Sequence, residues 1–157
     1  KSSSFSSGSV SPAVEPFKSN YYVKDLAKIK TVYKNPFLEK LLQEKGLDTE
    51  EIWESILHND GSVQHLEQLT DEEKEVFKTF SEISQLSVIQ QAAQRQKYID
   101  QGQSINIMVH PATPARDLNQ LYLTAEELGL KSIYYQYSMS AAQVFNRNLL
   151  SCSSCEG

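Results

Sequence analysis

Three groups of side chains have the types and spacing to do chemistry. Cys152 and Cys155 form a Cys-x-x-Cys pair just before the last two residues. Two thiols this close can shut into a small ring, so the pair can exchange disulfides with a partner through its thiolate. A metal site would need four ligands. The only further soft donors are His58, His65 and His110, and none has finger spacing. Half of an intermolecular metal site, or two inert thiols, are the alternatives to a redox pair. Tyr134-Tyr135 is the second group. Aromatic residues favour strands and the chain holds 8 Tyr, so strand composition alone explains two in a row. The chemical alternative is a relay, because a phenol keeps its proton at neutral pH and can lose it together with an electron. The third group is Ser2, Ser3 and Ser4. Seven of the first eleven residues are Ser. Such a stretch is a flexible lead-in, or its hydroxyls and successive N–H groups cradle an oxyanion. No glycine-rich phosphate motif, Ser/His/Asp set or His-x-x-x-His pair is present.

Composition narrows the classes. The 157 residues suit one ordinary domain. Lys and Arg total 15 against 20 Asp and Glu, a formal net charge of −5. That argues against nucleic acid or an anionic membrane as the main partner. Hydrophobic residues make up 39% and charged residues 22%, a globular mix. No run approaches the roughly 18 apolar residues of a membrane helix, and no signal-peptide pattern opens the chain. The chain opens on Lys1 without an initiator Met. The expectation is a trimmed chain or a piece of something longer.

The elements that must position these groups follow from periodicity. Residues 17–34 read as short, irregular strands. Asn35-Pro36 caps a helix that stops at Gly46. Asp48-Thr-Glu-Glu51 offers a capping-box-like start for a second helix, carrying Ile52, Trp53, Ile56 and Leu57 and ending at Asn59-Asp60-Gly61. Val63, Leu66 and Leu69 suggest a helical turn or two. Thr70-Asp-Glu-Glu73 is a capping box that opens the longest periodic segment, about residues 71–99. Alternating Ile105, Ile107 and Val109 mark a strand that His110-Pro111 ends. Thr113-Pro114 starts a helix with Leu118, Leu121, Tyr122, Ala125 and Leu128 on its apolar stripe, closed by Gly129. Residues 131–137 read as a second strand. Strand, helix, strand is a βαβ unit with parallel strands and a right-handed crossover. Two strands cannot hide their own edges and faces, so their neighbours are expected from outside this stretch. Residues 138–157 read as a mobile tail.

A series of short motifs runs in order along the chain: Val14-Glu15-Pro16, Ser19-Asn20-Tyr21-Tyr22, Asn35-Pro36 with Leu38 and Leu41-Leu42, and Asn59-Asp60-Gly61-Ser62. It continues through Glu82-Ile83-Ser84-Gln85, Ile99-Asp100-Gln101, Gln103-Ser104-Ile105-Asn106, Leu128-Gly129-Leu130-Lys131, Tyr134-Tyr135 and the terminal cysteine pair. With this series the chain resembles the C-terminal part of the large (α) subunit of class I ribonucleoside-diphosphate reductases. The resemblance implies the last portion of a ten-stranded α/β barrel over residues 1–137, mainly helical with one βαβ unit and incomplete alone, followed by a flexible redox tail over 138–157. It implies that Ser2, Ser3 and Ser4 hold the substrate diphosphate, with Lys1 at the edge of that loop. Tyr134 and Tyr135 match the stacked pair that carries a radical towards the active-site cysteine. Cys152 and Cys155 match the pair that re-reduces the active site.

The implied partners are the rest of the large subunit, the small (β) subunit with its metal-tyrosyl radical, thioredoxin or glutaredoxin, and a ribonucleoside diphosphate. No nucleic acid or membrane is implied. The helix near residues 114–128 resembles part of the groove for the small subunit's C-terminal peptide. This stretch itself is expected to bind no cofactor or metal. The allosteric ATP and deoxynucleotide sites, the thiyl-radical cysteine and the catalytic Asn and Glu belong to earlier parts of a full subunit, so the stretch is inactive alone. Functional thiols without an export signal suggest the reducing cytoplasm. The competing expectation is a non-enzymatic helical interaction module with a redox-sensitive tail.

Overall fold

The structure, a computed structural model, describes residues 14–26 and 29–138. The chain divides into two compact units, Lys1–Glu82 and Ile83–Gly157. The expected boundary at 137/138 falls at the edge of the described residues.

The first unit opens with strands β1 (Tyr21–Leu26) and β2 (Ile29–Lys34), paired antiparallel with Tyr22 opposite Tyr33 and Val23 opposite Val32. The irregular strands expected here are thus a regular hairpin, built from the Tyr, Val, Ile and Thr that favour a pleated surface. Tyr22 and Tyr33 stack across it, their ring centroids 4.8 Å apart. Burial, and then the neighbouring Tyr22, raise the pKa of Tyr33. Helix α1 (Pro36–Glu44) follows; the Asn35 side chain accepts from Phe37 N–H, and Gly46 lies beyond the end with φ +68°. Helix α2 is Glu50–His58. Its cap is Thr49, whose hydroxyl accepts from Ile52 N–H, so the expected box at Asp48–Glu51 does not form. Asp48 instead accepts from Trp53 Nε1 at 2.7 Å and from Gln43 Nε2 at 3.0 Å. Those two hydrogen bonds, in that order, lower its pKa.

Leu38, Leu42, Trp53, Ile56, Val63, Leu66, Leu69 and Phe77 form the core of this unit. Val63–Leu69 is a series of turns rather than helix. Its side chains are buried as their spacing suggested, but the chain carrying them is irregular. At the α2 exit, Gly61 has φ +77°, and a Cβ there would lie 1.8 Å from Ser19 Oγ. The turn and the close approach both require glycine.

The continuous helix expected over about 71–99 does not exist. Helix α3 (Asp71–Val76) starts on the Thr70 capping box, with both reciprocal bonds present, and stops after six residues. Helix α4 (Gln85–Gln96) begins afresh. Partners far away in sequence make the break. Phe77 C=O accepts from Asn20 Nδ2 at 2.7 Å, and Phe80 N–H donates to Phe17 C=O at 2.8 Å. The Glu82 carboxylate accepts from Thr79 N–H and Oγ1 at 2.7 and 2.9 Å and from Ser62 Oγ. Backbone groups that would have closed helical turns are used elsewhere.

The second unit holds α4, strand β3 (Ile107–Val109), helix α5 (Ala115–Glu127) and strand β4 (Gln136–Ser138). The two strands are parallel, as expected of the βαβ unit. Helix α5 starts one residue later than expected: Pro114 is the N-cap, with no side-chain cap bond from Thr113. Ile89, Ile107, Val109 and Ala125 make the core, with Leu118, Leu121, Leu130 and Ile133 against it. Tyr122 and Leu128, expected on the apolar stripe, are 41% and 43% exposed.

Candidate functional site

Tyr134 and Tyr135 lie between the end of α5 and β4. Their backbone is tied to the strand ahead: Tyr134 N–H donates to Ile105 C=O at 2.7 Å, and Tyr135 C=O accepts from Ile107 N–H at 2.9 Å. The approach is fixed from below by amides. Gln103 Nε2 donates to Ala92 C=O at 2.8 Å, Gln96 Nε2 to Ile99 and Gln101 C=O at 2.9 Å each, and Ser132 Oγ to Gln103 C=O at 2.9 Å. Lys131 Nζ donates to Asp100 C=O. These bonds pin the loop before β3 to α4 and to the segment that carries the two phenols. Gln96 and Gln103 are buried, and buried amides hold position only when their bonds are made.

The two rings meet with centroids 4.1 Å apart and planes at 65°. The expected contact is present, but edge to face instead of stacked, an arrangement the ring quadrupoles favour. Adjacent residues of a regular strand point to opposite faces. Both residues precede β4, which frees them from that alternation. Tyr134 is 60% exposed and Tyr135 52% within this chain. Side chains able to lose an electron and a proton thus sit in ring contact on a backbone held from two sides.

The histidines are used locally. His58 Nδ1 lies 2.9 Å from Glu54 C=O, His65 Nε2 lies 3.0 Å from Ser55 Oγ, and His110 Nδ1 accepts from Ala112 N–H. Burial, then Lys74, lower the pKa of His65. Among the described residues no group of three or more His, Cys, Asp or Glu could hold a metal ion. No helix among them is long and apolar enough to cross a membrane. Ser2, Ser3, Ser4, Cys152 and Cys155 lie outside the described residues.

A family profile described as the ribonucleotide reductase barrel domain matches residues 1–136. The chain belongs to that family. It is 44% identical over 144 residues to the ribonucleoside-diphosphate reductase large subunit of Invertebrate iridescent virus 6, covering 89% of this chain and 15% of that protein. To the large subunit of Invertebrate iridescent virus 3 it is 45% identical over 136 residues, covering 85% of this chain and 22% of that protein. Among solved structures it superposes on the Actinobacillus ureae class Id ribonucleotide reductase alpha subunit with a TM-score of 0.80 at 88% identity. That match covers 97% of this chain and 26% of the alpha subunit. The chain therefore spans only a fraction of the length of the reductase subunits it matches.

Two features of this reductase segment were not anticipated. Tyr137 adds a third ring, its centroid 6.2 Å from that of Tyr135. Period-two spacing from Tyr135 was the available signal. Gln103 stands among the resemblance motifs, but nothing signalled that it and Gln96 are buried, because glutamine on a helix or in a loop is most often solvated.

Proposed function

We propose that this chain is the C-terminal portion of a class I ribonucleoside-diphosphate reductase large subunit and that it serves radical transfer and re-reduction there. In this role β3 and β4 are two strands of a larger α/β barrel completed by the rest of the subunit. Tyr134 and Tyr135 pass an oxidising equivalent, each phenol giving up an electron and a proton in turn, between the small subunit's metal-tyrosyl site and the active-site cysteine. Ser2, Ser3 and Ser4 hold the diphosphate of the ribonucleotide. Cys152 and Cys155 reduce the active-site disulfide by exchange. One thiolate forms the mixed disulfide, and the second displaces the reduced active-site thiol and closes the tail disulfide. Thioredoxin or glutaredoxin then restores the tail. Allosteric ATP and deoxynucleotides act on other parts of the subunit, in the cytoplasm.

The observation that carries this reading is the ring contact of Tyr134 and Tyr135 in a chain whose first 136 residues match the barrel domain. The identity to the class Id alpha subunit supports the place in class I. The test is Tyr135→Phe in the assembled enzyme. Phenylalanine keeps the ring and removes the oxidisable O–H, so turnover should stop while ribonucleotide binding is retained. Turnover at the parental rate would refute the relay.

A further inference from the structure

Parallel register places Gln136 opposite Ile107 and Tyr137 opposite Met108. Ile107 and Val109 are buried against α4 and α5, and Gln136 Oε1 accepts from Tyr122 on α5 at 3.1 Å. The helices therefore lie on the side of the sheet that carries Ile107 and Gln136. Alternation along β4 puts Tyr137 on the opposite face, beside Met108, and there its ring meets that of Tyr135, which precedes the strand. Their centroid separation of 6.2 Å, at 44° between planes, falls in the roughly 4.5–7 Å range of interacting rings. Tyr137 is also the most sheltered of the three, 36% exposed against 60% and 52%.

We infer that Tyr137 is a third redox-active phenol that exchanges the oxidising equivalent laterally with Tyr135; this rests on the radical-transfer role proposed above. The step is balanced within the pair. Tyr137 gives an electron and its hydroxyl proton to the Tyr135 phenoxyl, Tyr135 regains its O–H, and Tyr137 becomes the phenoxyl. No other oxidant is needed. Tyr122 is not equivalent, because its hydroxyl donates to the neutral amide oxygen of Gln136, which does not take up the proton. Strand composition alone would also account for a tyrosine at 137, and it predicts no redox exchange.

The test uses the assembled holoenzyme with substrate and effector, carrying the more easily oxidised analogue 3-aminotyrosine at 137 and, in parallel, at 135. Electron paramagnetic resonance should detect an aminotyrosyl radical at either position. The radical at 137 should be lost when Tyr135→Phe is added. A radical at 135 but none at 137 would overturn this inference and leave the relay standing. A radical at 137 that persists with Tyr135→Phe would show a different route and overturn the lateral exchange. No radical at either position would overturn the relay and the inference together.

Discussion

Glu82 shows what a single side chain does to this chain. Its carboxylate accepts from Thr79 N–H, Thr79 Oγ1 and Ser62 Oγ, linking a turn after α3 to the turn after α2. Without it, the Thr79 amide and two hydroxyls lose their acceptor. An unsatisfied buried donor costs about 1–3 kcal/mol. Glu82→Ala should therefore loosen residues 77–84, seen as faster amide exchange there in the assembled subunit. Glu82→Gln should be milder. The amide oxygen can accept both Thr79 bonds while its NH2 donates to Ser62 Oγ, which accepts as readily as it donates. Equal exchange in Glu82→Ala and the parent would refute a role for this carboxylate in holding the break between α3 and α4. At the same scale, the adjacency of Tyr134 and Tyr135 was legible as a motif and their ring contact was not. Two neighbours on a regular strand would have pointed apart, and it is the irregular approach to β4 that lets them meet.

Among the elements, the legible features were those whose causes are local. Asn35, Thr70 and the glycines 46, 61 and 129 stop or start helices through bonds or φ values within a few residues of themselves. The 71–99 segment misled because its apolar spacing is only partly a buried stripe. Phe77, Phe80, Ile89 and Ala93 are buried, while Val76 and Leu86 are exposed, and Asn20 and Phe17 claim the backbone between the two helices from more than fifty residues away. Helix α3 thus survives as six residues, too short to be stable on propensity alone, and its cap matters accordingly. The Thr70 N–H, then Lys45, hold the Glu73 carboxyl below the usual carboxylate range. Lys45 Nζ lies 3.0 Å from it. A pKa lowered by folding contributes stability above the unfolded value, about 4.3 for Glu, that is lost as pH falls through the folded one. Amide protection across Asp71–Val76 should therefore drop on acidification below that point. Glu73→Gln still caps but does not titrate, so its profile should be flatter. Parallel profiles for the two proteins would count against the cap as the titrating element.

For the whole molecule, the deciding feature is the sheet of the second unit. β3 and β4 have each other and no further strand among the described residues. All three residues of β4 are exposed, while Ile107 and Val109 of β3 are buried by helices on one side only. Two three-residue strands do not hold together in water unaided, and an unpaired edge invites association with whatever strand is nearest. The first unit also has a two-stranded sheet, but its core of Trp53, Leu38, Leu42 and Ile56 closes around helices and turns of its own. The prediction is asymmetric. In the isolated chain, amides of the first unit's helices should be protected while those of residues 134–138 exchange quickly, and the chain should self-associate as its concentration rises. Mixing with the remainder of a reductase large subunit should protect residues 134–138 and abolish the association, because further strands of the barrel then extend the two-stranded sheet. If residues 134–138 were protected in the chain alone, and mixing changed nothing, the βαβ unit would be self-sufficient. The two phenols would then belong to a free-standing interaction module rather than to a wall of a larger barrel.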